Sequence, residues 1–547
     1  MSRRPVVSAL FLTAVLCAGL LAWQPGFAQP GDLSGTEGAS DRNGAIAKGV
    51  DLERSRKWIE AIEFYEGAVK SWPDTPELDY GLRRAKIYFG IDRRYTDKSF
   101  RSQLLRMDRG QALALLDEIL SKVEAHYVDL VTPTSFVAHG TESLYLALND
   151  DRFREENVPA RNRGNVKAFR DRLRNEFWNR KVPSREAARQ LIIEMGETAR
   201  VELGVPSVAV TMEYIFGGCN SLDDYSGYLT PTRLNDLYGN IEGEFVGLGI
   251  EMRAENGKGM LLVNVLEGGP AEQGGVLSGE HIVSIDGRDC RNMTTDEAAG
   301  YLQGTTGSRV TLELEADGKI RGVTLARRAV VVKSLPVVEM VDRARGIGYI
   351  KMTSFQKSST EEMDAALQRL RAEGMRALIW DVRGNPGGLL STSVEVLDRF
   401  IGEGVLVSTR GRTADQNWSY TARRPGTLDI PLVLLIDGDS ASASEIVAGA
   451  IRDHGRGTLV GRKSYGKWSV QSIFPAGAGT GLRLTTAKFY SPKGLTLGKI
   501  GVEPDIKVEV AKEGSPRSRT RGRKVDPEND ADVKKALEVL GDQFAGR

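Results

Sequence analysis

Two short apolar runs constrain this chain more than any other feature: Ala377 to Val382, interrupted only by Asp381, and Leu432 to Ile436. A strand that is apolar on every residue must be covered on both faces. Such strands belong in a sheet with helices packed above and below it. The neighbouring segments agree. Ile347 to Met352 reads as a strand. Ser359 and Glu362 predict a capping box for a helix through Glu373, with Met363, Ala366, Leu367 and Leu370 on one face and Gly374 as its stop. Strands and helices then alternate through Asp453, which is an α/β layout.

The second apolar run leads into Ser440-Ala441-Ser442-Ala443-Ser444-Glu445. These small residues predict a strand-to-helix turn that presents a serine hydroxyl at a helix N-terminus. In a helix over 441–453, Ser442 lies in the first turn, where free N–H groups and the helix dipole favour a developing oxyanion. The N–H of Ala443 is one natural donor. A second is expected from Arg383-Gly384-Asn385-Pro386-Gly387-Gly388, the loop after the first apolar run, because glycines let backbone donors approach a ligand closely.

A serine hydroxyl is a poor nucleophile without a base. Asp453 and His454 suggest a Ser-His-Asp triad, but on a continuous helix they stand roughly 16 to 18 Å along the axis from Ser442. Asp453 is therefore expected to fix the helix end or to support the site indirectly. Lys467 follows Ser442 by 25 residues, and Gly455 to Gly461 reverses the chain between them through another strand. Lysine acts as a base when desolvation lowers its pKa toward neutrality. Gln471 shares a face with Lys467 if this stretch is extended. Four strand residues span about 13 Å, so direct contact between the two needs a bend. Gly461 to Lys467 also matches most of a phosphate-binding loop. However, Trp468 replaces the Ser or Thr that would hold magnesium, and Trp468 to Phe474 reads as strand, so an NTPase fits poorly.

The 547 residues are enough for several domains, and a net charge of +1 gives no reason to expect nucleic acid. Arg3 and Arg4, the apolar run Val6 to Ala22 and the exit Gly26-Phe27-Ala28 have the layout of a secretory signal over 1–28. The mature chain is then expected in the periplasm or cell envelope, or secreted, with no membrane span. Cys219 and Cys290 remain and are expected to be unpaired; no Cys/His cluster has metal-ligand spacing. Residues 29–43 read as a linker. In 44–98, Gly49, Ala61, Tyr65, Ala68 and Pro73 have the spacing of one tetratricopeptide-like helical hairpin. A lone repeat must pack on a neighbour or partner, so this region is a candidate surface for an adaptor or for self-association.

Residues 99–240 read as helical. Leu113, Leu116, Leu120, Val123 and Tyr127 form one stripe, and Asp223 and Asp224 read as turn residues rather than an acid/base pair. Residues 241–330 form a β-rich module, with strands Val246 to Met252, Met260 to Leu266, His281 to Ile285 and Arg309 to Leu314, and a helix Thr295 to Gln303. Gly247-Leu248-Gly249-Ile250 can turn successive N–H groups into a carboxylate nest, and the strand edge after it can pair with an extended peptide. The tail 512–547 reads as polar, basic and solvated.

With Gly268-Gly269-Pro270-Ala271 and Ser284-Ile285-Asp286-Gly287, this module resembles a PDZ domain, although Glu280-His281 stands where that family usually has Gly-Asp. From about Leu222 to Asp505 the chain resembles the carboxy-terminal processing peptidases, or tail-specific proteases. The resemblance rests on Leu222 to Leu229, the PDZ-like module, Gly348-Tyr349-Ile350, Asp381 to Leu390, Ser440 to Asp453, Gly466-Lys467 with Gln471, and Gly501 to Asp505. Residues 100–221 are only loosely similar, with an insertion at 150–207.

The resemblance implies a multidomain α/β protein: an N-terminal α-helical region, a PDZ-like β-rich domain and an α/β serine-protease core over 331–511. It implies Ser442 as nucleophile, Lys467 as general base, Gln471 as the group orienting it, and Gly388 and Ala443 as oxyanion donors. Asp453 matches an acidic position that supports activity. Trp468 departs from the small residue usual after the lysine, where it would narrow the pocket or help desolvate the amine. The implied function is an exported serine endopeptidase that captures unfolded or flexible protein C-termini at Gly247 to Ile250 and works without metal or other cofactor. The alternative is a non-catalytic PDZ/helical-repeat scaffold in the envelope, against which the intact Ser442, Lys467 and Gly387-Gly388 argue.

Overall fold

The computed structural model describes residues 41–178, 180–423, 427–496, 498–509 and 525–545. The expected signal segment with Cys17, most of the expected linker and the basic run Arg517 to Lys524 lie outside them.

Both apolar runs are central strands. Ala377–Asp381 and Leu432–Ile436 are buried at every residue and lie side by side, in parallel. The six-stranded sheet runs Val337–Asp342, Ile347–Lys351, Ala377–Asp381, Leu432–Ile436, Thr458–Gly461, Ile506–Lys507, and only its first strand is antiparallel to its neighbour. Alternate residues supply two separate cores. Leu378, Trp380, Leu434 and Ile436 pack under Ser359–Ala372, Leu390–Leu397 and Ala443–Asp453. Ala377, Ile379, Val433 and Leu435 pack under a C-terminal helix, Ala531–Ala545, through Val533, Ala536 and Leu540.

That helix corrects the expectation of a solvated tail over 512–547. Its apolar residues recur at helical spacing, and the second face of the sheet cannot be left to water. The capping box expected at Ser359 is also absent. Ser358 is the N-cap, the Ser359 hydroxyl accepts from Gln356 N–H, and Glu362 accepts from Leu335 N–H and Ser358 Oγ.

A second sheet carries the hairpin Ser469–Ala476 and Thr480–Tyr490. Gly227–Leu229, at the end of the helical region, pairs antiparallel with Thr480–Tyr490 and ties that region to the core. Within the helical region, Arg109–His126 and its C-cap Tyr127 bury the expected stripe. The N-terminal segment forms three helices, Arg42–Arg54, Trp58–Ser71 and Pro76–Thr96, rather than a pair. The Tyr65 ring fills the space between the first and third. A Cβ on Gly49 or Gly81 would stand 2.3 or 2.5 Å from it, and its hydroxyl donates to Glu53.

The β-rich module holds a sheet of Ile250–Glu255, Gly259–Val265, His281–Ile285, Arg309–Ala316 and Lys319–Ala326. The single strand expected over Val246 to Met252 is broken. Glu244–Gly247 pairs with Arg328–Val331, and Gly249, at φ 74°, turns the chain before Ile250. Cys219 and Cys290 are buried, unpaired and in different cores. Among the described residues, no helix is long and apolar enough to cross a membrane and no cluster of three metal-ligating side chains occurs.

Candidate active site

Ser442 ends the turn after the central strand Leu432–Ile436. It is the N-cap of Ala443–Asp453 rather than a residue of its first turn, with φ 56° and ψ −112°. A non-glycine residue held there costs on the order of 1–3 kcal/mol, so its surroundings must impose the geometry. Several bonds do so. Ala441 N–H and Ser444 Oγ both donate to Asn385 O, at 3.0 and 2.9 Å. Ser440 Oγ donates to Val382 O at 2.8 Å, and Tyr465 N–H to Ser440 O. Ser442 is fully buried, and its Oγ makes no hydrogen bond.

The glycine loop is pressed against this turn. Asn385 donates from Nδ2 to Met352 O and accepts Gly387 N–H on Oδ1. Gly387 has φ 108°, and a Cβ there would lie 2.8 Å from Ala441 O and 2.9 Å from Ala443 N. Gly388 has φ 148°, and its Cβ would meet Phe355 O at 2.2 Å. Phe355 bonds Gly387 O and Leu389 N–H, leaving the Gly388 N–H out of that ladder. The Ala443 N–H, at the first helical position, has no partner within its own helix. Both expected oxyanion donors therefore sit on backbone that flanks Ser442.

The residue that joins the site together is Glu445, which the sequence reading passed over. Its carboxylate is completely buried. It accepts from Ser442 N–H at 2.8 Å, Ser464 Oγ at 2.6 Å, Gly466 N–H at 2.7 Å and Lys467 N–H at 2.8 Å. Burial raises its pKa to about 7 against the lowering effect of these bonds. The N–H groups of Ser442 and Lys467 share one oxygen, Oε2, so the two nitrogens lie no more than twice 2.8 Å apart. The available signal was the Ser-x-x-Glu spacing at a helix start, where the glutamate reaches back to the N-cap N–H.

Lys467 is buried, and its Nζ stands 4.5 Å from the centroid of the Tyr225 ring. Gln471 is fully buried; a register shift between Val470 and Gln471 bends its strand. Its Nε2 donates to Ser469 Oγ and Thr485 Oγ1, and its Oε1 has no hydrogen-bond partner. The indole of Trp468 stacks on Phe489 with centroids 4.7 Å apart and reaches Gly449 of the Ser442 helix, so it packs into the core. Asp453 lies at the far end of that helix, where it accepts Lys493 N–H. His454 contacts Val405 O.

The start of the glycine loop is anchored by charge. Buried Asp381 accepts from Tyr349 OH and pairs with Lys351 and Arg383. Burial opposes its charge, but Arg383 and Lys351 outweigh this and hold its pKa below the usual carboxylate range. Arg383 continues to Asp530, just before the C-terminal helix, and to Asp532 in its first turn, and Asp532 also pairs with Arg462. In the β-rich module, Leu248 O and Gly249 O accept from Ala271 and Leu266 within the module.

Residues 346–508 match the family described as Peptidase family S41, and residues 262–315 match the PDZ domain. A carboxy-terminal-processing protease of Bartonella bacilliformis is 38% identical over 297 residues, covering 53% of this chain and 67% of that protein. A carboxyl-terminal-processing protease of Synechocystis is 34% identical over 296 residues, 53% of this chain and 69% of its own. Among solved structures, a photosystem II D1 C-terminal processing protease aligns at 25% identity over 75% of this chain and 97% of its own, with a TM-score of 0.39. With an S41 core, a PDZ domain and relatives of this identity and coverage, the chain belongs to the carboxy-terminal-processing proteases, a family of serine peptidases.

Proposed function

We propose that the protein is an exported endopeptidase that cleaves proteins near flexible C-termini by Ser/Lys acyl transfer. The substrate's terminal carboxylate is held by the backbone of Gly247, Leu248, Gly249 and Ile250, and its chain is laid as an extended segment toward Ser442. Lys467, in its uncharged form, takes the Ser442 proton as Oγ attacks the scissile carbonyl. The N–H groups of Gly388 and Ala443 stabilise the oxyanion. Lys467 returns the proton to the departing amine; it then takes a proton from water, which attacks the acyl carbonyl and displaces Ser442 Oγ. Gln471 orients Lys467, and Asp453 supports the site only by fixing its helix. The proposed substrates are unfolded proteins of the cell envelope. The helical N-terminal region is the proposed surface for an adaptor or a second copy.

The observation that carries this reading is the common Glu445 oxygen, which holds the backbones of Ser442 and Lys467 together. To test it, wild type, Ser442→Ala and Lys467→Ala are incubated with an unstructured protein ending in apolar residues. Cleavage by wild type alone is expected. Cleavage by Lys467→Ala would remove the lysine from the mechanism, and inertness of all three would return the scaffold alternative.

A further inference from the structure

Gln471 and Thr485 stand directly opposite each other in the hairpin. Gln471 Nε2 donates to Thr485 Oγ1 at 3.2 Å and to Ser469 Oγ at 2.9 Å, while Oε1 is buried without a partner. A carboxamide fits a slot of this shape either way round, so its neighbours must choose the orientation. The Thr485 hydroxyl has one proton, and it is directed to Asp223 Oδ2 at 2.6 Å. Thr485 Oγ1 can then only accept. It takes an N–H from Gln471, and the amide oxygen is left pointing the other way.

The helical region holds both members of this relay. Asp223 N–H donates to Tyr127 OH at 2.9 Å. Thr485 N–H donates to Ser226 Oγ at 2.9 Å, and Thr485 O accepts Val128 N–H at 2.8 Å. Ser226 Oγ makes a further, long contact of 3.5 Å with Thr485 Oγ1, this time as donor. From the same turn, Tyr225 lays its ring over Lys467 Nζ.

We propose that Asp223 and Thr485 are positioning residues of the peptidase reaction, setting the polarity of the Gln471 amide so that Oε1 is offered to an N–H of the Lys467 amine. The proposal rests on the Ser442/Lys467/Gln471 reading above. Its consequence is that the orientation of the base depends on docking of the helical region as well as on the core that carries Ser442.

The test is steady-state hydrolysis of a flexible peptide, together with the rate at which a fluorophosphonate labels Ser442. Asp223→Ala, Thr485→Val and Thr485→Ser are compared with Lys467→Ala and Gln471→Ala. Thr485→Val and Asp223→Ala are expected to lower kcat and labelling about tenfold, as for loss of a buried hydrogen bond, with KM within about twofold. Thr485→Ser keeps the hydroxyl and retains the wild-type rate. Unfolding midpoints separate these effects from loss of fold, and if Thr485→Val does not fold, Asp223→Ala, which removes the acceptor altogether, decides. Unchanged kcat in Thr485→Val and Asp223→Ala, while Lys467→Ala and Gln471→Ala are inactive, overturns the proposal alone. Activity in Lys467→Ala overturns the reading beneath it.

Discussion

At Glu445 a carboxylate held by one hydroxyl and three N–H groups is enclosed between two segments that must stay together. Its raised pKa has a defined sign. The folded state binds its proton up to about pH 7, whereas the unfolded chain releases it near the ordinary value of 4.5. The folded state therefore holds more protons between these values, and its stability falls as pH rises through that window. Tm is expected to drop between about pH 4.5 and 7, and Glu445→Gln is expected to flatten that part of the profile; differential scanning calorimetry at several pH values checks this. Gly387 gives a second prediction. A methyl group there meets the backbone on both sides of Ser442, so Gly387→Ala is expected to lower kcat about a hundredfold through a displaced oxyanion site while the protein stays folded by circular dichroism. The sequence marked Ser442, Lys467, Gln471 and the glycine loop, because each lies in a local pattern. It did not mark Tyr225 or the role of Asp223, since their partners are over 200 residues away and no local pattern encodes them.

Among the elements, the C-terminal helix differs most from expectation. Val533, Ala536 and Leu540 close the second face of the central sheet, and Asp532 meets Arg383 and Arg462 at its start. Leu540→Ala is expected to cost about 2–5 kcal/mol, read by urea denaturation, as for a fully buried leucine. The helix is hidden in the sequence because the basic run before it dominates the composition of the tail. The central strands were legible for the opposite reason: residues that are apolar in every position admit one environment. The break at Leu248 and Gly249 was hidden, because a glycine in a strand-like run reads the same whether the strand continues or turns.

Across the whole molecule, the PDZ module and the helical region meet at the helix Thr295–Leu302. Glu297 there caps its own helix and pairs with Arg152 at 2.7 Å, and Lys98 Nζ donates to Gly300 O. If the carboxylate loop captures substrate, a peptide with a C-terminal carboxamide should show KM raised about tenfold with kcat unchanged, as for one lost charge-assisted hydrogen bond; steady-state kinetics on the matched pair decides. What the sequence determined by itself was the set of local environments: fully apolar strands that require two covering layers, a small-residue turn that offers a serine at a helix start, and glycines where backbones must approach. What only the tertiary structure decided was which distant groups satisfy the buried polar atoms those environments create. Glu445 gathers the N–H groups of two segments, Asp223 accepts the Thr485 hydroxyl that Gln471 also meets, and the last helix covers a sheet face that begins far upstream, at Val337. Periodicity records whether a residue is buried, but the partner of a buried donor is set by chain folding in three dimensions.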